Sequence, residues 1–209
     1  MKINEIFYSI QGEGAWTGLP NIFIRTTGCN LRCSFCDTKY AYEKGKEMTI
    51  DEIIEKIGSY PCKYICITGG EPLLQKDIIH LIDKLLKKGY KISIETNGSL
   101  SIKKISNKKN LMISIDIKCP SSNMNEFNYF ENFNFLREND QLKFIIKNKD
   151  DYEYAKTILE KYKPFCTVFL QPVWGRNPKN LTRWVIKDGL NAKIGLQIHK
   201  IILGNKRKI

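Results

Sequence analysis

Short runs of apolar and β-branched residues alternate with amphipathic stretches along most of the chain. Six of these runs predict strands, at residues 21–27, 63–68, 91–96, 111–117, 141–146 and 166–171, and a shorter one is predicted at 193–198. Apolar residues recur at helical spacing in the stretches 49–59, 77–89, 150–162 and 177–189. Strands and helices that alternate in this way are typical of βα units built around a parallel sheet.

The number of βα units limits the architecture that this chain can form. A closed barrel of eight units usually takes about 250 residues, and the chain has 209. We therefore expect an α/β fold with a single domain over residues 1–209, a partial and open βα barrel with about six parallel strands. Thr49 with Glu52 predicts a capping box, Gly89 predicts a helix end, and the irregular residues 121–140 predict a loop with a short helix.

Composition and charge limit the compartment in which the protein is expected and the partners that it is expected to bind. No apolar run approaches the roughly 20 residues of a membrane span, and the first residues lack the apolar stretch of a signal peptide, so we expect a soluble cytoplasmic protein with no membrane partner. The net charge is +12, carried mostly by lysines that are scattered in pairs without interleaved aromatic residues. That distribution predicts no direct nucleic-acid partner, although it is compatible with attraction of anionic small molecules.

Three of the seven cysteines fall within eight residues, in the run TGCNLRCSFCDTKY. Cys29, Cys33 and Cys36 have the spacing C-x3-C-x2-C, and such clustering favours metal binding in a reducing compartment over disulfides. Structural zinc takes four protein ligands, whereas an iron–sulfur cluster held by three thiolates keeps one iron open. The triad therefore points to a 4Fe–4S cluster with an open, reactive iron.

The four other cysteines have no comparable pattern. Cys66 and Cys166 lie in apolar strands, where free cysteine is often a small buried hydrophobe. Cys62 and Cys66 have ligand-like spacing without a second pair, so a second metal site stays open as a minor alternative. Cys119 is considered with the motif that contains it.

The cysteine motif, with Phe35 before its last cysteine, resembles that of the radical S-adenosylmethionine (SAM) enzymes. FYSIQGEG, TGLPNIFIRTTGCNLRC and LQIHK resemble one family within them, the 7-carboxy-7-deazaguanine synthases, and the likeness covers nearly the whole chain. The resemblance implies an incomplete barrel, a cluster on the three cysteines, and SAM that is cleaved to a 5′-deoxyadenosyl radical. It also implies SAM contacts at Phe35, Asp37, Thr68, Gly69, Gly70, Glu71, Glu95, Asn97, Ser114, Lys118 and Gln171.

Two features of these SAM positions come from the pattern of the strands. TGGEP, residues 68–72, directly follows a predicted strand, where the loops of βα barrels build the site. Ser114, Asp116 and Lys118 alternate along another strand and are expected to face one side. Cys119 stands where the family commonly has glycine.

The resemblance also implies a substrate, 6-carboxy-5,6,7,8-tetrahydropterin, whose ring contracts to 7-carboxy-7-deazaguanine with loss of ammonia, as in queuosine biosynthesis. The matching substrate positions are Ile10, Gln11, Gly12, Glu13, Gly14, Arg25, Thr68, Gly70 and His199. Arg25 would pair with the substrate carboxylate, and Thr38 would bind Mg²⁺. An external electron donor of the flavodoxin or ferredoxin type and a homodimer are implied as well.

Two alternatives compete with this interpretation. A radical SAM activase, which installs a glycyl radical on a partner protein, shares the cysteine spacing but should not need QGEG, Arg25 or His199. A nucleic-acid-binding zinc module would use the cysteines and the positive charge. It lacks a fourth ligand, because neither His80 nor His199 has finger spacing to the triad.

Overall fold

The computed structural model describes residues 1–204, and the last five residues of the basic segment GNKRKI lie outside the described residues. Within that range the chain forms one nine-stranded sheet in the order β3-β1-β2-β4-β5-β6-β7-β8-β9. Its strands are β1 Lys2–Ile10, β2 Pro20–Thr26, β3 Lys46–Glu47, β4 Tyr64–Gly69, β5 Lys91–Thr96, β6 Leu111–Ile117, β7 Gln141–Ile146, β8 Thr167–Pro172 and β9 Lys193–Ile194.

The strands β2 and β4 to β9 pair in parallel, whereas β1 pairs antiparallel with both β2 and β3. All six predicted long strands are confirmed to within one residue at each end. The strands β3 and β9 are the two edges, so within the described part of the chain the sheet stays open, as expected for a partial barrel.

The helices are α1 Ile50–Gly58, α2 Ile78–Lys87, α3 Lys149–Tyr162, α4 Lys179–Asp188 and α5 Ile198–Leu203. The capping box is present: Glu52 N donates to Thr49 Oγ1 at 3.2 Å, and Thr49 N donates to Glu52 Oε2 at 2.7 Å. Gly89 follows α2 with φ +81°, a conformation that glycine adopts without strain. Residues 121–140 contain short 3₁₀ turns instead of one short helix. No helix among residues 1–204 has the length and apolar character needed to cross a membrane.

Two elements differ from the sequence prediction. The strand β1 was not predicted, because it pairs antiparallel at the start of the chain and belongs to no βα unit. The strand predicted at 193–198 is wrong beyond Ile194. Gly195 N still bonds to Leu170 O, but Ile198 N bonds to Gly12 O, and α5 begins there.

The two faces of the sheet carry different residues, as the period of two in a strand requires. One face packs against the helices and is nearly all isoleucine and leucine, with Ile65, Ile67, Ile92 and Ile94 fully buried. The neighbouring positions on the same strands are Cys66, Thr68, Ser93 and Glu95. The polar face of the sheet therefore carries the side chains available for chemistry.

Candidate active site

A cavity of about 860 Å³ lies over the polar face, where the carboxyl ends of the parallel strands meet. Most of the predicted site residues line it, and they come from segments that are far apart in sequence. The predicted residues in its wall are Ile10, Gln11, Gly12, Glu13, Arg25, Cys29, Cys33, Phe35, Cys36, Asp37, Thr38, Thr68, Gly69, Gly70, Glu95, Asn97, Lys118, Gln171 and His199. This cavity has the size and the mixed polar and apolar lining of a small-molecule site.

The three clustered cysteines follow β2 and face the cavity as free, half-buried thiols. Burial raises the pKa of the Cys33 thiol, Lys118 acts to lower it, and the charges of Cys36 and Cys29 raise it further. That mutual influence indicates that the three sulfurs lie close together. Cys29 Sγ also accepts from Leu31 N at 3.4 Å and from Asn97 Nδ2 at 3.7 Å.

The donor set fits an iron–sulfur cluster. Across residues 1–204 no three His, Cys, Asp or Glu side chains are arranged to hold a metal ion between them. The three thiols nevertheless share one loop and one cavity, and two N–H groups donate to the sulfur of Cys29. Hydrogen bonds to cluster sulfurs are among the means by which proteins tune reduction potential.

The TGGEP loop after β4 brings backbone close to the cysteine loop. A Cβ added to Gly70 would lie 2.1 Å from Gly28 O, so only glycine allows this approach. Gly69 and Gly70 line the cavity. The loop therefore presents backbone groups to a ligand, as its resemblance implies.

Glu71, an expected SAM contact, lies outside the cavity wall formed by residues 1–204. Its side chain is fully buried, and its carboxylate accepts from Thr96 Oγ1 at 2.8 Å, Leu73 N at 3.0 Å and Asn97 N at 2.6 Å. Burial raises the pKa of this carboxyl, and the three donors act against that effect. Glu71 thus joins the loops after β4 and β5.

Glu71→Ala is expected to destabilise the protein. It leaves three buried donors without an acceptor, at a cost of about 3 kcal/mol of unfolding free energy. Glu71→Gln keeps a carbonyl acceptor and should lose less than half as much. Urea unfolding of the two variants tests this prediction, and equal losses would contradict the assigned hydrogen-bonding role.

Ser114 and Gly14 also lie outside the cavity wall formed by residues 1–204. Ser114 is fully buried, and its Oγ accepts from Gln141 Nε2 at 2.9 Å. A Cβ on Gly14 would lie 2.3 Å from the same Nε2 atom, and Gly14 has φ +71°. Gln141 fills the space between these two residues, so both shape the site through this glutamine.

Asp116 and Lys118 do face the cavity, as their alternation predicted. Lys118 Nζ lies 3.3 Å from Asp116 Oδ2. Cys119, beside Lys118, is buried in the hydrophobic core, and burial raises the pKa of its thiol. The departure from glycine at this position therefore places sulfur in the core without displacing Lys118 from the cavity.

Among the remaining cysteines, Cys166 is buried with core residues, as predicted. Cys66 is buried as well, but it lies in the cavity wall, where Gln11 Nε2 donates to its sulfur at 3.4 Å. Burial raises the pKa of the Cys66 thiol to about 12. Cys62 donates instead to Pro20 O at 3.2 Å, so Cys62 and Cys66 bond to different groups.

The loop after β1 meets α5 across the cavity. Ile198 N donates to Gly12 O at 3.0 Å, and a Cβ on Gly12 would lie only 1.7 Å from His199 Nδ1. That nitrogen is buried without a hydrogen-bond partner among the described residues. Burial lowers the pKa of His199, which favours the neutral imidazole as a ligand-binding group.

Both oxygens of Glu13 are held. Lys143 Nζ lies 3.1 Å from Oε2, and Gln197 Nε2 donates to Oε1 at 2.6 Å. Burial acts to raise the pKa of Glu13, but Lys143 and Gln197 outweigh it, so this pKa lies below its usual value. Glu13 is therefore a fixed carboxylate anion.

Two predicted residues, Arg25 and Thr38, already have partners. Arg25 Nε donates to Glu5 Oε1 at 2.8 Å, which uses one of the five N–H donors of its guanidinium. Thr38 Oγ1 donates to Asp37 Oδ1 at 2.9 Å, and Asp37 Oδ2 accepts from Lys200 Nζ at 2.6 Å. Burial acts to raise the pKa of Asp37, but Lys200 and Thr38 hold this pKa below its usual value.

Several wall residues were not predicted as site residues, among them Lys143, Gln197, Lys200 and the stacked pair Phe7 and Phe23. The sequence does mark Lys143 as unusual, because a charged lysine interrupts the otherwise apolar part of the strand QLKFII. Gln197 and Lys200 flank His199 in LQIHK. No sequence pattern predicts that Phe7 and Phe23 face the cavity, since apolar residues in paired strands usually indicate core.

Comparison with known proteins places these features in context. Residues 23–170 match the family model of the Radical SAM superfamily. A 7-carboxy-7-deazaguanine synthase of Thermoplasma acidophilum is 37% identical over 205 residues, covering 98% of each chain. One of Clostridium acetobutylicum is 38% identical over 218 residues, covering 100% of this chain and 99% of the relative.

Solved structures agree with the fold. The crystal structure of QueE from Escherichia coli has a TM-score of 0.71 at 28% identity, with 94% of this chain and 93% of that chain covered. SuiB of Streptococcus suis, bound to its precursor peptide SuiA, has a TM-score of 0.59 at 13% identity, with 82% and 47% covered. At that identity SuiB supports the fold alone.

Proposed function

This chain belongs to the radical SAM superfamily and, within it, to the 7-carboxy-7-deazaguanine synthases, and we propose from that premise that it makes 7-carboxy-7-deazaguanine. Its substrate is 6-carboxy-5,6,7,8-tetrahydropterin, which loses ammonia as the ring contracts, in 7-deazapurine biosynthesis. One observation carries the proposal: the residues matched to the substrate, Gln11, Glu13 and His199, line the same cavity as the three cysteines.

The cofactors follow from the same cavity. Cys29, Cys33 and Cys36 would hold a 4Fe–4S cluster, and the backbone at Gly69 and Gly70 would support SAM beside it. When bound, the cluster and SAM supply a radical that removes hydrogen from the substrate. The protein supplies binding, orientation and exclusion of water.

Recognition of the pterin uses groups that are fixed before the substrate arrives. The Glu13 carboxylate accepts N–H groups from the flat polar edge of the ring, and the imidazole of His199, whose Nδ1 lies against Gly12, forms part of the wall beside it. Arg25 pairs with the substrate carboxylate through guanidinium N–H groups other than the Nε–H that bonds to Glu5. Discrimination is strong in such a site, because an analogue that leaves these buried groups unmatched loses binding energy.

The apolar wall complements these polar contacts. Phe7 and Phe23 stack at 4.9 Å between ring centroids on β1 and β2 and line the cavity. A flat heterocycle is favoured next to such rings.

Magnesium is proposed at Thr38, where a hydroxyl and substrate oxygens suit a cation that keeps most of its own water. Thr38→Val removes the hydroxyl and keeps the shape of the side chain. The Mg²⁺ concentration for half-maximal activity should rise about 10-fold, in line with the loss of one ligand contact. A titration with MgCl₂ in chelator-treated enzyme tests this, and an unchanged midpoint would remove Thr38 from the metal site.

The proposal also includes the location of the enzyme, its electron donor and its oligomeric state. The enzyme is cytoplasmic, takes its electron from a flavodoxin or ferredoxin, and acts as a homodimer. A net charge of +12 is compatible with an anionic substrate. Light scattering at micromolar concentration tests the dimer, and photoreduced flavodoxin in place of dithionite tests the donor.

The test of the proposed function is a reaction of the anaerobically reconstituted protein with SAM, a reductant, Mg²⁺ and 6-carboxytetrahydropterin. Mass spectrometry should detect 7-carboxy-7-deazaguanine, with each SAM supporting more than one turnover. Cleavage of SAM without any change in the pterin would keep the radical SAM assignment and overturn the substrate. In that case the activase alternative would be tested next, with a glycyl-radical protein as substrate.

A further inference from the structure

Lys143 is a buried cation on the polar face of the sheet. It lies on β7, and its side chain is only 6% exposed. A charge removed from water in this way is costly unless opposite charges and hydrogen bonds compensate for it. The surroundings of Lys143 must therefore be built around its ammonium group.

Three carboxylates from three different segments provide that compensation. Lys143 Nζ lies 2.8 Å from Glu95 Oε2 on β5, 3.1 Å from Glu13 Oε2 in the loop after β1, and 3.2 Å from Asp116 Oδ1 on β6. Burial acts to lower the pKa of Lys143, but Asp116, Glu95 and Glu13 together raise it well above its usual value. This lysine is thus a permanent cation that cannot serve as a proton donor near neutral pH.

The geometry joins the two halves of the proposed site. Glu13 matches a substrate-binding position and Glu95 matches a SAM-binding position, and one ammonium contacts both of them. We propose that Lys143 is a positioning residue that fixes Glu13 and Glu95 relative to each other, so that SAM and the pterin are aligned for hydrogen transfer. This inference rests on the proposed function for the identity of the second ligand.

The charge of the cluster has a further consequence. With Lys118 beside Asp116, the three carboxylates face two ammonium groups, which leaves one excess negative charge. Of the three carboxyls, Glu95 takes up a proton most readily, because burial raises its pKa and Lys143 only partly opposes this effect, whereas the pKa values of Glu13 and Asp116 are lowered. A wall with one excess negative charge favours the sulfonium of SAM.

Lys143→Met tests the proposal by removing the charge and keeping the length of the side chain. Glu13 and Glu95 lose their common partner, and a displacement of about 1 Å at a reacting group costs roughly 100-fold in rate. Formation of 7-carboxy-7-deazaguanine should fall by about that factor, while SAM cleavage persists. The ratio of 5′-deoxyadenosine to product should therefore rise at least about 10-fold.

A second readout concerns SAM alone. Without Lys143 the three carboxylates retain one nearby ammonium, so their pKa values rise and they take up protons as the pH falls. The other titratable groups around them include Cys66 on β4, His199 on α5, Cys33 in the loop after β2, and Lys118 and Cys119 after β6. The Kd for SAM should increase about 5-fold from pH 8.5 to 6.5 in the variant and less than about 2-fold in the parent enzyme.

The matched control is Lys147→Met, which removes the same charge from an exposed position four residues further along. It should leave both readouts unchanged. Lys143→Arg keeps the charge in case the methionine variant does not fold, and its broader guanidinium should still raise the 5′-deoxyadenosine ratio about 3-fold. If Lys143→Arg keeps the parent ratio of 5′-deoxyadenosine to product, Lys143 contributes only its charge, and the proposal is overturned.

The outcomes separate this inference from the proposed function. If the parent protein makes no deazaguanine product, the proposed function is wrong. The pH dependence of the Kd for SAM then still tests the role of Lys143. If the parent makes product and folded Lys143→Met keeps both the parent ratio and a flat Kd profile, the function stands and the positioning role is refuted.

Discussion

Cys33→Ala is expected to abolish both SAM cleavage and product formation. Three thiols face the cavity on the loop after β2, and removal of one leaves two ligands for a cluster that needs three. The loss should exceed about 1,000-fold, because the uncatalysed reaction offers no alternative path to the radical. Anaerobic reconstitution followed by iron and sulfide analysis, the visible spectrum and a SAM-cleavage assay measure the effect.

Cys166→Ala provides the comparison for this variant. Cys166 is a buried core thiol away from the cavity wall, so its loss should cost about 1 kcal/mol of stability or less and leave iron content unchanged. Equal loss of iron in the two variants would indicate that reconstitution depends on general stability. Full iron content in Cys33→Ala would remove Cys33 from the cluster.

Gly12→Ala is expected to impair the use of the pterin strongly. The added Cβ would lie 1.7 Å from Nδ1, 2.5 Å from Cγ and 2.8 Å from Cβ of His199, so the imidazole or the whole of α5 must move. Movement of α5 also takes Gln197 away from Glu13. We expect kcat/KM for the pterin to fall about 100-fold, while SAM is still cleaved in the absence of pterin.

Gly58→Ala is the matched control for this substitution. Gly58 ends α1, has no atom within 4 Å of an added Cβ, and has no positive φ. Alanine there should leave activity unchanged and stabilise the helix by up to about 1 kcal/mol. If Gly12→Ala keeps the parent kcat/KM, the contact between Gly12 and His199 is not part of the site.

The parallel strands were predictable because each one buries a strongly apolar face against helices. Ile65 and Ile67, or Ile92 and Ile94, give a signal that depends only on the local sequence. The loops that follow these strands were therefore placed correctly as well. Most of the predicted site residues lie in those loops or at strand ends, so they line one cavity.

The features that were missed depend on contacts between distant segments. α5 has no buried residue, and its place is set by bonds from Gln197, Ile198 and Lys200 to residues near positions 12, 13 and 37. Glu71 lies within TGGEP, but the motif does not show that its carboxylate accepts from Thr96 and Asn97 as well as from Leu73 in its own loop. Lys143 resembles any polar residue in a strand until its three partners are known.

The elements that form the site differ in how firmly they are held. The cysteine loop and the strands beneath it precede α5, whose residues complete one side of the cavity. Because α5 has no buried residue and is held mainly by polar bonds, it is expected to open at a lower free energy than the sheet beneath it.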